Sequence, residues 1–252
     1  MEIRNPEGTE LLGEVELTDP AEVAAVVGRA VKARRAWTEM PIGRRADLLD
    51  AAAALLEPEV EPLGRLLASE SGKPIGQATN EVRGGLHFLR GNATEGRRLV
   101  GRMLPSESNA RSEWDLAFTR REPLGVVAAI LPFNFPVELF VEKCAAALVG
   151  GNAVVVKPPI EDPLVVGRFR EALIEVGVPA EVIAAVHGDA KVGAALAEAP
   201  GVDAISLTGS TAAGLAVARA TAEKLRFLHL ELGGNNASLI LEDADLDLVA
   251  AE

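Results

Sequence analysis

Residues 124–159 of this 252-residue chain are LGVVAAILPFNFPVELFVEKCAAALVGGNAVVVKPP. The apolar run at 124–131 predicts a strand buried on both faces, and the run at 153–156 predicts a second one. Between them, Pro136 suits the first position of a helix over 137–149, because proline lacks the N–H that would be unpaired there. A glycine pair ends this helix. A strand, a helix and a strand joined by short links predict one right-handed parallel crossover.

Polar residues stand where each of these two strands finishes. Asn134 comes shortly after the first strand, and Lys157 ends the second. In open parallel sheets, ligands bind at the carboxyl ends of the strands. The amide of Asn134 can therefore stabilise an oxyanion, and Lys157 can hydrogen-bond ribose hydroxyls or a phosphate. The simpler alternatives are a turn asparagine and a lysine that reaches water.

Strand and helix patterns continue to alternate after residue 160. Asp162 is predicted to cap the first of the later helices, with Pro163 in its first turn. The alternation predicts an α/β fold, a Rossmann-like parallel sheet with helices on both faces. The further strands are predicted at 182–186, 204–207, 225–230 and 237–241, and the helices at 162–176, 191–198, 211–222 and from 243 onward.

The first part of the chain has a helical pattern instead. A short extended piece at 3–17 precedes a helix capped by Asp19, and a strand of a hairpin is predicted at 111–119. We therefore divide the chain into a helical N-terminal arm, 1–110, and the Rossmann-like domain on which it packs, 111–252. The other helices of the arm are predicted at 44–56, 62–71 and 79–99.

Two further loops follow predicted strands. The segment GSTAAG, residues 209–214, lies between a strand and a helix, where backbone N–H groups form a natural phosphate site. Its pattern is G-x-T-x-x-G rather than G-x-G-x-x-G, so an ordinary helix start is the alternative. Glu231 ends a strand, and partial burial there would raise its pKa toward that of a useful general base. A capping or solvent-facing glutamate is the alternative.

Composition excludes several classes of function. The net charge of −12 argues against a nucleic-acid partner, because phosphate binding requires a basic surface. No segment has the roughly 18 consecutive apolar residues of a membrane span. The first residues do not resemble a signal peptide, and the single cysteine fits a reducing compartment, so we expect a cytoplasmic protein. That cysteine, Cys144, lies in the middle of an apolar helix and is expected to be a core residue. The three histidines are far apart in sequence, so no metal site is expected.

Four motifs in this order and spacing, PFNFP, GGNAVVVKP, LTGSTAAG and LELGGNN, resemble those of the aldehyde dehydrogenase superfamily. The earlier segments NPEGTELLGEV, SGKPIGQATNEV and FTRREPLGVVAAI are similar to the N-terminal half of the same family. The branch that the chain resembles most is that of lactaldehyde or non-phosphorylating glyceraldehyde-3-phosphate dehydrogenases.

The resemblance implies an NAD or NADP cofactor and the oxidation of an aldehyde to a carboxylic acid through a cysteine thioester. It implies that Asn134 holds the oxyanion, that Glu231 is the general base and that Lys157 binds the adenosine ribose. The cofactor-binding residues that it implies, besides Asn134 and Lys157, are Ile130, Pro132, Phe133, Gly209, Ser210, Gly214, Leu232 and Gly233.

The chain departs from the family pattern at two points. Ile160 stands where the family often has a glutamate that disfavours a 2′-phosphate, so the choice between NAD and NADP stays open. The nucleophilic cysteine of the family lies beyond the ELGG motif and does not occur up to Glu252. We therefore expect a coenzyme-binding N-terminal fragment, without the catalytic domain, of an enzyme that is a homo-oligomer (dimer or tetramer) at full length. The alternatives are a catalytically inactive nucleotide-binding or interaction module, and an acyl-transferring aldehyde dehydrogenase that uses coenzyme A or phosphate.

Overall fold

A short hairpin and a group of helices precede the alternating part of the chain in the computed structural model, which describes residues 1–104 and 116–251. Asp19 caps the first helical turn as predicted, because its Oδ1 accepts a hydrogen bond from the Ala21 N–H at 2.8 Å. The hairpin consists of β1 (Glu2–Arg4) and β2 (Leu11–Glu14), and the helices are α1 (Val23–Glu39), α2 (Ile42–Leu56), α3 (Val60–Ser71) and α4 (Ile75–Arg97).

A second antiparallel pair follows α4. It consists of β3 (Met103–Leu104) and β4 (Ala117–Phe118), which pair with each other. The hairpin strand predicted at 111–119 therefore exists over its last part, whereas 111–115 lie outside the described residues. The predicted boundary between arm and domain, at residues 110 and 111, also lies outside them.

The central sheet is parallel and has the order β7-β6-β5-β8-β9 in the described residues. Its core strands are buried on both faces, as the continuous apolar runs predict, because helices cover both sides. The strands are β5 (Val126–Ile130), β6 (Ala153–Lys157), β7 (Ile183–Ala185), β8 (Ala204–Thr208) and β9 (Phe227–Glu231). The predicted fold class, a Rossmann-like α/β sheet, is confirmed.

The crossover helices lie on both faces of this sheet. The segment between β5 and β6 is one continuous helix made of α5 (Pro136–Phe140), a π-helical turn (Val141–Ala145) and α6 (Ala146–Val149). It shares one face with α7 (Pro163–Glu175), whereas α8 (Ala190–Glu198) and α9 (Thr211–Thr221) cross on the other, as right-handed connections require. The last helix is α10 (Leu246–Ala251). No helix in the described part of the chain is long and apolar enough to cross a membrane.

Side chains of the N-terminal helices bind directly to the crossover helix. The indole N–H of Trp37 donates to the Leu148 carbonyl at 3.0 Å, and Nε of the buried Arg45 donates to the Val149 carbonyl at 3.0 Å. Both carbonyls belong to the last turn of α6, where helical carbonyls have no partner within the helix. Helices α1 and α2 therefore hold the C-terminal end of the helix that connects β5 to β6.

The predicted cap of α7 by Asp162 is wrong. The side chain of Asp162 is buried, and neither of its carboxylate oxygens has a hydrogen-bond partner among the residues that the structure describes. Its φ of −141° and ψ of 58° are not the extended geometry that aims a capping side chain at the first turn. Glu70 of α3 caps the helix instead, accepting from the Leu164 and Val165 N–H groups at 2.7 and 2.9 Å. Burial, with the nearby Glu70 carboxylate, raises the pKa of Asp162 to about 8.

The strand predicted at 237–241 is also wrong, because these residues form no strand pairing. Leu239, for example, is 86% exposed. An apolar run of this length becomes a strand only when a neighbour pairs with its backbone and covers one of its faces. Within the described residues no strand lies beside 237–241, so their apolar composition alone does not make them a strand. The start of β9 also differs slightly from the prediction, since Leu225 has a left-handed φ of 50° and is excluded from the strand.

Candidate functional site

The loops that follow β5, β6, β8 and β9 meet at one edge of the sheet. The register pairs Ile130 with Lys157 and Thr208 with Glu231, so the last residues of neighbouring strands lie side by side. This is the carboxyl edge at which open parallel sheets bind ligands. Two clefts open there, and they share the lining residues Pro132 and Phe133.

The first cleft has a volume of about 570 Å³, which lies within the usual range of small-molecule sites. It opens beside the ends of β5 and β6 and between α8 and α9, and its walls are mostly apolar. Four of the predicted cofactor-binding residues line it, namely Ile130, Pro132, Phe133 and Lys157. Ile160, at the position that bears on cofactor choice, belongs to the same lining.

Lys157 is the cation of the first cleft. It is 8% exposed, and its Nζ donates to the Pro158 carbonyl at 3.2 Å. Burial lowers the pKa of Lys157, and the carboxylates of Glu161 and Asp189 oppose that change. An ammonium group has three donors, so it can donate to further oxygens in the cleft. Lys157 therefore lines the first cleft, and its role in binding a ligand stays a prediction.

The glycine-rich loop after β8 is built around a helix cap. Ser210 Oγ accepts from the Ala213 N–H at 3.1 Å, so Ser210 is the N-cap of α9. The N–H of Gly209 donates to the Glu231 carbonyl and that of Gly214 to the Ser210 carbonyl, each at 3.0 Å. The sequence pattern suggested that backbone N–H groups of this loop bind a phosphate. The N–H groups of Gly209 and Gly214 are not free to do so, because both already donate to carbonyl groups. Gly214 provides space instead, since a Cβ there would lie 2.6 Å from the Leu232 side chain.

The second cleft has a volume of about 690 Å³ and contains both predicted catalytic residues, Asn134 and Glu231. Phe88 of α4 and Phe135 contribute aromatic surface to it. The structure therefore brings together two residues that are 97 positions apart in sequence, from the ends of β5 and β9. The predicted cofactor-binding residues that also line it are Pro132, Phe133, Gly209, Ser210, Leu232 and Gly233.

Glu231 is more exposed than the sequence suggested. Partial burial was expected, but its side chain is 57% exposed and lies 3.2 Å from the Nε2 atom of His229. The other ring nitrogen of His229 is 3.1 Å from Ser206 Oγ. Strand β9 is the last strand in the sheet order, and its alternate residues Phe227, His229 and Glu231 face an uncovered side. Exposure is therefore a consequence of the edge position.

The sequence analysis missed several charged residues that border the second cleft. Glu138 and Glu142 line it, and burial together with the nearby Glu81 carboxylate raises the pKa of Glu138. Lys73, at the start of the arm's last helix, donates to the Asn134 carbonyl at 2.6 Å. Glu138 had a signal, since it lies in the first turn after the PFNFP motif. The contact of Lys73 spans 61 residues and has no local signal.

Cys144 lies in the π-helical turn and is completely buried. Burial raises the pKa of the Cys144 thiol above its ordinary value. A buried thiol of this kind is a small core residue rather than a nucleophile. Within the described ranges, no three His, Cys, Asp or Glu side chains are grouped so that they could hold a metal ion.

The parallel sheet, its crossover helices and the clefts at its carboxyl edge define an α/β protein of the Rossmann-like class. A sequence model of the aldehyde dehydrogenase family matches residues 1–252. The chain therefore belongs to the aldehyde dehydrogenase family, as its motifs predicted.

Individual relatives support this assignment over the same residues. The NADP-dependent glyceraldehyde-3-phosphate dehydrogenase of Streptococcus equinus is 37% identical over 252 residues, 99% of this chain and 51% of that protein. The 3,6-anhydro-alpha-L-galactose dehydrogenase of Streptomyces coelicolor is 37% identical over 244 residues, 96% of this chain and 49% of that protein. The crystal structure of the NADP-dependent glyceraldehyde-3-phosphate dehydrogenase of Bacillus halodurans C-125, complexed with NADP, superposes with a TM-score of 0.94 at 38% identity. It is covered to 53% by the whole of this chain, which thus spans about half the length of these relatives.

Proposed function

We propose that this chain is the coenzyme-binding part of an NAD(P)-dependent enzyme that oxidises an aldehyde to a carboxylic acid. The observation that carries the proposal is the pair of clefts joined at Pro132 and Phe133. One cleft is apolar with a buried cation, and the other contains an amide and a carboxylate. The apolar cleft with its cation suits the binding of a dinucleotide, and the cleft with the amide and the carboxylate suits the oxidation of an aldehyde. In this proposal residues 1–110 are the arm and 111–252 the coenzyme domain.

The residues of the first cleft fit a dinucleotide. Its apolar walls suit the flat base of a nucleotide, and the spare donors of Lys157 suit the hydroxyls of its ribose. Ser210 and Gly214 shape the start of α9, whose N-terminal end favours negative charge because of the helix dipole. The nicotinamide supplies a hydride acceptor when it is bound. The ten cofactor-binding residues proposed from the sequence all line a cleft or, in the case of Gly214, pack against a lining residue.

The residues of the second cleft fit the handling of an aldehyde oxygen and of a proton. The carboxamide of Asn134 can donate to the oxygen on which negative charge develops. The carboxylate of Glu231 can accept a proton from a water molecule that then attacks a carbonyl carbon. Its exposure suits this role, because water has to reach it. The nucleophile in this proposal is a cysteine thiolate outside this chain, as in the family pattern, because Cys144 is buried.

The assay that tests this proposal follows reduction of NAD or NADP by the whole protein with a panel of aldehydes. We expect turnover that depends on both the nucleotide and the aldehyde, without coenzyme A or phosphate. Turnover only in the presence of coenzyme A or phosphate would indicate an acyl-transferring enzyme, and nucleotide binding without turnover would indicate an inactive module. The homo-oligomer and the cytoplasmic location stay predictions.

We expect NADP to be accepted, because Ile160 places no carboxylate next to the adenosine ribose in this proposal. Ile160→Glu should lower the ratio of kcat/KM for NADP to kcat/KM for NAD by about tenfold or more, since a carboxylate repels a 2′-phosphate and accepts from a 2′-hydroxyl. Steady-state kinetics of the whole protein with both nucleotides measures this ratio. Ile160→Gln is the matched control, because it has the same size without the charge. If glutamine changes the ratio as much as glutamate does, charge at this position does not set the preference.

A further inference from the structure

Lys73 and Glu81 form a buried ion pair beside the second cleft. The Lys73 side chain is 12% exposed and that of Glu81 is 1% exposed, and Lys73 Nζ hydrogen-bonds Glu81 Oε2. Both belong to the SGKPIGQATNEV segment, for which the proposed chemistry has no use. Removing two charges from water is costly, and a buried pair often contributes little net stability. The pair therefore needs a reason other than stability.

The two side chains hold the backbone from Asn134 to the first turn of α5. Lys73 Nζ donates to the backbone carbonyl of Asn134 at 2.6 Å, and Glu81 Oε1 accepts from the Val137 N–H at 2.9 Å. The same ammonium lies 4.1 Å from the centre of the Phe135 ring, within the range of a cation–π contact. The pair thus contacts the last two residues of the loop, Asn134 and Phe135, and the first turn of α5.

Two helices of the arm, α3 and α4, present this pair. Gly72 ends α3 with a left-handed φ of 73°, and Lys73 follows it directly, two residues before α4 begins. Glu81 lies within α4, and a Cβ at Gly85, one turn later, would lie 2.6 Å from a Val137 methyl group. Helix α4 therefore packs in close contact with the start of α5. The N-terminal arm holds the Asn134 end of the loop, whereas the Leu131 N–H at its beginning donates to the Lys157 carbonyl of the sheet at 3.1 Å.

We infer that Lys73 and Glu81 are positioning residues that aim the Asn134 carboxamide into the second cleft, an inference that rests on the proposed function. An oxyanion donor acts only at hydrogen-bond distance from the developing charge, and a displacement of about 1 Å can cost about 100-fold in rate. Fixing the Asn134 carbonyl and the start of α5 restricts the backbone on the C-terminal side of Asn134 and so limits how far its carboxamide can move. The charged pair thus acts through Asn134 and does not itself touch the substrate.

The test compares Glu81→Gln and Lys73→Met with Glu59→Gln in the whole protein. Glu59 is a matched control, because it also joins the arm to the domain as an ion pair, with Arg168 at 2.6 Å, and it lines neither cleft. The first readout is hydrogen exchange of the peptide that contains Val137. We expect its exchange to become about tenfold faster or more in Glu81→Gln and to be unchanged in Glu59→Gln, since only the first loses a charged acceptor at that amide. Equal exchange of this peptide in the wild-type protein, Glu81→Gln and Glu59→Gln would overturn the inference.

The second readout is steady-state kinetics. We expect Glu81→Gln and Lys73→Met to lower kcat by about tenfold or more with the nucleotide Kd changed by less than about threefold, because only the oxyanion donor is displaced. Lys73→Arg, which keeps the charge and can still donate, should retain more of kcat than Lys73→Met does. A loss that is shared by Glu59→Gln, or that appears in the nucleotide Kd, would show a merely structural role and overturn the inference. A wild-type protein without aldehyde turnover would refute the proposed function and the catalytic part of this inference, whereas hydrogen exchange would still decide whether the pair holds the loop.

Discussion

Replacing Glu231 with glutamine in the whole protein is expected to lower kcat by about 100-fold or more, the usual scale for a positioned general base. Glutamine has nearly the same shape, but it cannot accept a proton from water. Glu231 lies at the end of β9 in the second cleft, away from Lys157 in the first, so the nucleotide Kd should stay the same. Steady-state kinetics and a nucleotide titration of the variant measure the two quantities.

The matched control for this variant is Glu223→Gln. Glu223 is an exposed glutamate in the turn before β9, at the opposite end of the strand from the cleft, and its replacement should leave kcat unchanged. A kcat of Glu231→Gln within about threefold of the wild-type value would remove Glu231 from the mechanism, because general bases contribute far more. Its side chain would then have a contact with His229 but no part in the chemistry.

The 252-residue chain by itself is expected to show no aldehyde oxidation with either nucleotide. Its single thiol is Cys144, which is completely buried and whose pKa is raised by that burial, so it is not a thiolate at neutral pH. Without a thiolate at about 3–3.5 Å from the carbonyl carbon, no covalent intermediate forms. The measurement is a steady-state assay of the purified chain with several aldehydes.

Cys144→Ala is the control for that assay. It removes the thiol and should leave the rate at the background value, since the rate is at the background value already. Turnover by the unmodified chain that disappears in Cys144→Ala would show that Cys144 is the nucleophile. The assignment of the nucleophile to a cysteine outside this chain would then be wrong.

The sequence predicts the sheet well, because a strand buried on both faces has to be apolar along its whole length. Residues 124–131 and 153–156 have this property, and they contain or form most of β5 and β6. The strand ends then predict the site, since parallel strands bring their carboxyl ends to one edge. Because Asn134 follows β5 and Glu231 ends β9, the sequence pattern was enough to predict that both lie at this edge of the sheet.

What the sequence does not predict depends on contacts between distant segments. Asp162 has the local pattern of a helix cap, but Glu70, 94 residues before Leu164, takes that place. The apolar residues 237–241 have the local pattern of a strand, but no neighbouring strand pairs with them in the described residues. The contact of Lys73 and Glu81 with the Asn134 loop has no local signal, because it depends on where α4 packs. Local propensity fails wherever the partner comes from elsewhere in the fold.

The most direct test of coenzyme binding is a calorimetric titration of the 252-residue chain with NADP, after circular dichroism has shown that the chain is folded. We expect one saturable site per chain, for which NAD competes with NADP, because the apolar cleft with Lys157 lies entirely within these residues. Lys157→Met should weaken binding about tenfold or more, since it removes a charged hydrogen-bond donor from the cleft. A folded chain that binds neither nucleotide would contradict the claim that this chain is the coenzyme-binding part of the enzyme. A Lys157→Met variant that binds both nucleotides as tightly as the unmodified chain does would also contradict it.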